Sequence, residues 1–149
     1  MIAPQECTAL LDLTPLLVHC RLLMSGAADS SLSREISLPR LETLALGLHQ
    51  VTPGLEYRII DMLTLPALRR LYIEEEFLGR DPVSKFVSFV SRSQCNLQEL
   101  HIPVSTMSSD RFRTAVPSLV SVVFDEQYFI DVWKREKSWA EWLYDISTS

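Results

Sequence analysis

Three histidines, three cysteines and a run of three glutamates are the side chains of this sequence that could support a metal site. The histidines stand at positions 19, 49 and 101, and the cysteines at positions 7, 20 and 95. Zinc sites usually draw ligands from close pairs such as C-x-x-C or H-E-x-x-H, and neither spacing occurs here. The acidic run 74–76 could attract a basic peptide, but such runs are more typical of solvated turns. We therefore expect no bound metal.

Nucleophilic catalysis would need a serine or cysteine next to a base. Cys20 and Cys95 occupy positions where other copies of a repeated phrase, described below, have leucine or proline, which indicates a packing role. The sequence has no G-x-S-x-G elbow, and its four glycines are scattered singly, so it also lacks a phosphate-binding loop. We expect a protein that is not an enzyme and has no cofactor. A hydrolase on an α/β scaffold stays an alternative, which an esterase or phosphatase screen would reveal.

The composition bears on partners and cellular location. Fourteen lysines and arginines against nineteen aspartates and glutamates give a net charge of −5, so no positive field favours nucleic acid or an anionic membrane. The leucine-rich stretch 9–24 contains Asp12, His19 and Arg21 and is split by a Thr-Pro pair, which fits neither a signal peptide nor a transmembrane helix. An odd number of cysteines without C-x-x-C spacing predicts reduced thiols in the cytoplasm or nucleus.

One short phrase, P-x-L-x-x-L-x-L, recurs along most of the chain. The copies span 15–22, 39–46, 66–73, 95–102 and 117–124, with Cys20 in place of the middle leucine in the first and Cys95 in place of the proline in the fourth. Their first residues are 24, 27, 29 and 22 positions apart. These spacings match the roughly 20–29 residues of leucine-rich repeats, in which each phrase supplies one strand of a stacked sheet.

The two halves of each repeat have different periodicities. The last half of each phrase alternates apolar and variable residues, which predicts a strand with one buried face. The residues expected to point inward are Leu44 and Leu46, Leu71 and Ile73, Leu100 and Ile102, and Val122 and Phe124. Between the phrases, 56–65 and 82–93 have the period of helices, with Asp81 as an N-cap, and a shorter helix is expected from 108 to 115. The proline that opens most phrases is expected to end the preceding helix.

These elements predict an α/β fold: a short leucine-rich-repeat solenoid of about five parallel strands with return helices and a C-terminal helical cap. We expect one domain over 1–149, with an N-terminal cap helix at 1–14, repeats at 15–125 and a C-terminal cap at 126–149. Within the last segment, Trp139, Trp142, Leu143 and Ile146 have helical spacing and would cover the final layer. An aromatic helix that docks on a partner is the alternative interpretation.

The variable residues of the predicted strands would face the concave surface, which solenoids generally use for binding. Among them, Arg70, Tyr72, Glu99 and His101 would lie side by side and combine residue types that are enriched at interaction hot spots. The candidate partner-binding residues are His19, Arg21, Thr43, Arg70, Tyr72, Glu74, Glu99 and His101. The alternative is a solvated strand face on which Arg70 and Glu99 pair only with each other.

Segments 37–44 and 63–71, which alternate with a helix such as 87–95, resemble the leucine-rich-repeat region of F-box proteins from mushroom-forming fungi. The likeness covers residues 10–125. It implies a protein that holds the substrate of a ubiquitin ligase on its repeats. In that family an N-terminal F-box recruits the ligase scaffold. Because the first phrase here begins near residue 15, we expect no F-box within this sequence. A Skp1-type adaptor is therefore expected only if an F-box is present elsewhere.

Two hypotheses about function follow from the sequence. In the first, the chain is a non-enzymatic module that binds a protein partner on its concave face, similar to the substrate-recognition part of an F-box adaptor. In the alternative, it is a truncated or partial gene product with a structural leucine-rich-repeat fold and no independent function. The genomic sequence upstream of Met1 would separate them, because an in-frame F-box there would make the chain half of an adaptor.

Overall fold

A computed structural model describes residues 11–24, 35–48 and 57–125 of the chain. The described elements follow one another in a regular alternation of short strands and helices. In chain order they are β1 (His19–Met24), β2 (Ile36–Ser37), β3 (Thr43–Leu48), α1 (Ile59–Met62), β4 (Leu63–Thr64), β5 (Arg70–Ile73), a 3-10 helix (Glu75–Leu78), α2 (Pro82–Ser93), β6 (Glu99–His101), α3 (Ser109–Ala115) and β7 (Ser121–Val123).

Five strands form one parallel sheet in the order β1-β3-β5-β6-β7, and β2 pairs with β4 in a second sheet of two parallel strands. Each strand of the larger sheet comes from one copy of the phrase. The register places the same phrase position of successive copies side by side, as in the row Cys20, Leu44, Leu71, Leu100 and Val122. The expected α/β class with about five parallel strands in chain order is therefore confirmed.

A repeated backbone contact links each phrase to the next. The carbonyl of Val18 accepts hydrogen bonds from the N–H groups of Glu42 and Thr43, at 2.7 and 3.2 Å. The carbonyls of Glu42, Arg69 and Gln98 each accept in the same way from two consecutive N–H groups of the following phrase. Because the contact recurs at one phrase position, the register is fixed just before every strand begins.

The prolines serve a different purpose from the one expected. Leu38, Leu65 and Val116 each precede a proline, and each carbonyl accepts from the N–H three residues on, at 3.1 to 3.4 Å. Proline is thus the second residue of a tight turn, a position to which its fixed φ is suited. The expectation that proline ends a helix is correct at Pro117, which follows α3, and at Pro15, which follows the helical residues 11–12. Before Pro39 and Pro66 the chain forms the short strands β2 and β4.

The helix expected at 82–93 is confirmed as α2, and the carboxylate of Asp81 accepts from the Ser84 N–H at its start. Gln94, in the left-handed conformation at φ 53°, ends it. The helix expected at 56–65 is wrong in extent, because only Ile59–Met62 is helical and β4 follows directly. The side chain of Arg92 on α2 donates to the carbonyls of Ile60 and Leu63, and these contacts hold the short segment in place.

The core lies between the five-stranded sheet and the helices. All of the residues expected to point inward are buried except Phe124, which is half-buried and packs against the core. Aromatic rings from the helical side complete it: Phe86 of α2 meets Phe112 of α3 edge to face at 5.6 Å, and Phe77 and Phe89 are fully buried. Apolar burial of this kind supplies about 1.5–3 kcal/mol for each large side chain.

Both expected caps fall largely or wholly outside the described residues. Of the N-terminal segment 1–14, only 11–14 is described, with Leu11 buried in the core. The C-terminal segment 126–149, with Trp139, Trp142, Leu143 and Ile146, lies outside. Among the helices of the described ranges, none combines the length and the apolar character that crossing a bilayer would require.

Candidate functional site

The register brings the candidate residues together in rows on the face of the sheet opposite the core. One row contains His19, Thr43, Arg70, Glu99 and Ser121, and the next contains Arg21, Ala45, Tyr72, His101 and Val123. Neighbouring strands of a sheet lie about 4.8 Å apart, so adjacent residues of a row are in contact distance. The expectation that Arg70, Tyr72, Glu99 and His101 are side by side is confirmed.

Arg70, Glu99 and His101 form a polar cluster on β5 and β6. The guanidinium Nε of Arg70 lies 3.6 Å from Oε2 of Glu99, and Nε2 of His101 lies 3.8 Å from the same oxygen. About one third of the side-chain surface of Arg70 and of Glu99 is exposed to solvent. An ion pair with this exposure adds about 0.2–1 kcal/mol to stability, so the cluster contributes little to the folding of the sheet.

His101 is neutral near pH 7 in this cluster. Its ring stacks on Tyr72, with centroids 4.4 Å apart and planes inclined by 23°. Burial lowers the pKa of His101 from 6.5 to about 4, a shift that the nearby Arg70 reinforces and that Asp125 opposes. The ring is therefore uncharged, and 15% of its side-chain surface is exposed to solvent.

Two of the candidate residues are not on an open surface. Thr43 and Tyr72 are buried, and so are Ala45 and Gly47 on β3. These residues therefore lie in the rows of the variable face without being exposed to solvent. Neighbouring strands account for part of this burial: Tyr72 lies between Ala45 and the stacked ring of His101, and Thr43 lies between His19 and Arg70.

His19 and Arg21 lie apart from the polar cluster, on the far side of β3. They border a cleft of about 320 Å³ whose other walls are mainly apolar, formed by Leu11, Thr14, Leu17, Cys20 and Leu22. Burial lowers the pKa of Arg21 from its ordinary value. Because the buried residues of β3 separate the two groups, the eight candidate residues do not form one continuous binding surface.

Glu74 lies just beyond β5, where it is half-buried. Its carboxylate accepts a hydrogen bond from the Leu48 N–H, which favours the charged form, but burial and the nearby Glu76 favour the neutral one. Burial has the largest effect and raises the pKa of Glu74 to about 7. Among the described residues no lysine or arginine forms an ion pair with it.

Glu75 links the segment after β5 to the loop after β6. Its carboxylate accepts from the Ser105 hydroxyl at 2.6 Å and from the Thr106 hydroxyl and N–H at 3.1 Å each. The expectation of a solvated acidic turn at 74–76 is therefore wrong for Glu75. The sequence contained no signal for this contact, because its partners are thirty positions away and follow no motif.

We expect Glu75→Ala to release this loop. The variant lacks the carboxylate that accepts from three donors. Hydrogen bonds to charged groups contribute about 1.5–3 kcal/mol when they are buried. Because this site is half-exposed, we expect the free energy of unfolding to fall by an amount near the lower limit of that range. Hydrogen exchange of the Thr106 amide should accelerate. Glu76→Ala is the matched control, since its exposed neighbouring carboxylate has no contact with the loop. Equal Thr106 exchange in the two variants would contradict the assignment.

A second cleft, not indicated by the sequence, lies between the 3-10 helix and α2. It has a volume of about 340 Å³ and is bordered by Tyr57, Arg80 and Lys85, among others. The Lys85 ammonium lies 3.3 Å from the Asp61 carboxylate and donates to the Tyr57 carbonyl at 3.1 Å. Because these groups are engaged with each other, the cleft provides no activated base.

No catalytic or metal-binding arrangement stands out in the part of the chain that the structure describes. Among those residues, no group of three histidines, cysteines or carboxylates is placed to hold a metal ion. Burial is the main influence on the thiol of Cys95 and raises its pKa, which reduces its fraction of reactive thiolate. The polar cluster of Arg70, Glu99 and His101 is therefore the best candidate for a functional site, as a surface for binding.

Comparison with known proteins does not identify a family or a function for this chain. No protein-family model matches the chain, and no curated protein or solved structure is significantly similar to it.

Proposed function

We propose that the chain is a non-enzymatic protein-binding module of the leucine-rich-repeat type. It binds a protein partner on the part of the sheet face formed by β5, β6 and β7. The observation that carries this proposal is the cluster of Arg70, Glu99 and His101. The register aligns these residues, they are partly exposed, and their ion pair adds little to the stability of the fold.

The repeat character rests on three agreeing observations. The phrase recurs five times at spacings typical of leucine-rich repeats. Equivalent apolar positions lie next to each other in the sheet, and equivalent carbonyls accept the same pair of hydrogen bonds. A stack of such units is the arrangement that we propose for the whole of 15–125, as a short solenoid.

The chemistry of the cluster favours a protein partner. An arginine, a carboxylate and a neutral imidazole stacked on a tyrosine provide donors, acceptors and an aromatic surface within two strands. Ser121, Val123 and the exposed Asp125 extend this surface onto β7. With a net charge of −5, the chain has no general attraction for nucleic acid.

The proposed role resembles substrate recognition by an F-box adaptor in the cytoplasm or nucleus. A Skp1-type adaptor belongs to this proposal only if an F-box is joined to the chain.

The test is site-specific photo-crosslinking in the native cells. A photoreactive phenylalanine at position 121, beside Glu99, should form an adduct with one discrete protein. The same residue at position 88 is the control, because Ser88 is exposed on α2 and away from this face. Adding Arg70→Ala or Glu99→Ala should reduce the adduct at least several-fold while changing the free energy of unfolding by about 1 kcal/mol or less.

Two results would contradict the proposal. One is an absence of any adduct at position 121 under conditions in which the protein is folded and abundant. The other is an identical set of adducts at positions 121 and 88, or adducts that persist in the Arg70→Ala and Glu99→Ala variants.

A further inference from the structure

The second residue after each repeated phrase has an equivalent place in the chain but not an equivalent environment. The first four phrases end at residues 22, 46, 73 and 102, so these residues are Met24, Leu48, Glu75 and Val104. Met24 and Leu48 are paired in β1 and β3, and both are buried. Val104 is apolar as well, yet 59% of its surface is exposed to solvent. The fourth phrase therefore has a residue of the core type outside the core.

The path of the loop after β6 accounts for this exposure. Strands β1 and β3 continue to the second residue after their phrase, whereas β6 ends at His101, before Val104 is reached. Within the loop, Ile102 is fully buried and Met107 packs against the core. The chain therefore places Val104 in solvent between two residues that contact the core.

Glu75 holds the loop in this position. Its carboxylate accepts hydrogen bonds from the two residues that directly follow Val104: from the Ser105 hydroxyl, and from both the N–H and the hydroxyl of Thr106. The Ser105 hydroxyl oxygen in turn accepts from the Met107 N–H at 3.1 Å. Because these bonds fix the backbone directly after Val104, the exposed valine is held in one place on the surface.

We propose that Val104 is an apolar contact for the protein partner, and that Glu75 is the positioning residue that presents it. This inference rests on the proposed function, since the partner is the protein that binds the cluster of Arg70, Glu99 and His101. Three residues of extended chain span at most about 11 Å, so the Cα atom of Val104 lies within that distance of His101. A partner that buries about 800 Å² of this chain around the cluster covers a radius of about 16 Å, which is enough to include Val104.

The charges beside the loop indicate the chemistry of the partner segment. Glu76 is exposed next to Glu75, and Glu74 is half-buried on its other side. No lysine or arginine of the described ranges forms an ion pair with Glu74 or Glu76. Protein interfaces combine an apolar centre with a polar rim and complementary charges. We therefore expect the partner to place an apolar side chain on Val104 and a lysine or arginine beside Glu76.

Photo-crosslinking of the full chain in the native cells tests the contact at Val104. A photoreactive phenylalanine at position 104 should form an adduct with the protein that is captured from position 121. With the photoreactive residue at 121, Val104→Asp should reduce this adduct at least several-fold. Thr114→Asp adds the same charge at an exposed position of α3 and should leave the adduct unchanged.

The charge expected of the partner is tested in the same way. Glu76→Gln should reduce the adduct at position 121, because it removes the carboxylate that faces the basic side chain of the partner. Ser88→Lys makes the same change in net charge at an exposed position of α2 and should have no effect. Equal effects of these two variants would overturn the assignment of a basic partner segment.

A double variant tests whether Glu75 acts through Val104. Glu75→Ala should reduce the adduct at position 121, and adding Val104→Asp should then cause little further loss, because the loop no longer presents position 104. Glu75→Gln should retain most of the adduct, since its amide can accept from Ser105 and donate to the Thr106 hydroxyl oxygen. Losses that simply add in the double variant would overturn the positioning role of Glu75.

The outcomes separate this inference from the proposed function. An adduct at position 121 that depends on Arg70, with no adduct at position 104 and no effect of Val104→Asp, would overturn the inference and leave the proposed function intact. The absence of an adduct at position 121 would contradict the proposed function, and the inference would fall with it.

Discussion

Replacing Leu71 by alanine is expected to lower the free energy of unfolding by about 2–5 kcal/mol. Leu71 is fully buried in the central strand β5, between Leu44 of β3 and Leu100 of β6. The substitution removes apolar contacts and leaves a cavity that neighbours held on both sides by the sheet cannot fill. Urea denaturation followed by circular dichroism measures the change from the shift in the midpoint.

Two further variants make the result specific to the core. Arg69→Ala changes an exposed side chain two positions earlier, and we expect it to change the free energy of unfolding by about 0.5 kcal/mol or less. Leu71→Ile keeps the volume of the side chain and should lower the free energy of unfolding by less than about 1.5 kcal/mol. This variant therefore tests the packing at position 71 even if the alanine variant does not fold. Equal losses for Leu71→Ala and Arg69→Ala would show that the phrases do not form the buried row described above.

Glu74→Gln is expected to stabilise the protein at pH values above 7, by about 1–3 kcal/mol when the partial exposure of Glu74 is allowed for. The folded chain holds the pKa of Glu74 at about 7, against 4.5 ordinarily. Between these values the unfolded chain releases the proton while the folded chain keeps it, so stability falls as the pH rises. Glutamine is uncharged at every pH and can still accept from the Leu48 N–H.

The gain from Glu74→Gln should disappear as the pH falls below about 4.5, because both states of the wild type then carry the proton. Each comparison is made at one pH, since His101 acts in the opposite direction: its folded pKa of about 4 makes stability fall as the pH decreases below 6.5. Glu42→Gln, at an exposed position, is the control. A gain that is the same at low and high pH would contradict a desolvated carboxylate at Glu74.

The strands and their register could be predicted because they follow from local repetition. An apolar residue at every second position selects one buried face, and a phrase repeated five times selects the same partner positions in every pair of strands. Even Cys20, which replaces a leucine, lies beside Leu44 as the alignment of the phrases requires. The capping of α2 by Asp81 was equally local and was predicted for the same reason.

The connections between strands could not be predicted in the same way. Segment 56–65 has helical periodicity, yet it forms one helical turn followed by β4, because pairing with β2 and the contacts of Arg92 outweigh a weak local preference. Proline is compatible with both a helix end and the second position of a turn. Which one occurs depends on whether a helix or a short strand precedes it.

The sequence predicted which residues of the candidate site are neighbours, but not which of them are exposed. The repeated phrase by itself established which residues share a row, and it placed Arg70, Glu99 and His101 next to one another, because side-chain direction alternates along any strand. Only the tertiary structure decided which members of a row stay exposed, how far burial shifts the pKa of His101 and Glu74, and that Glu75 holds a loop thirty residues away. These properties depend on distances between segments remote in sequence, and a local pattern carries no information about such distances.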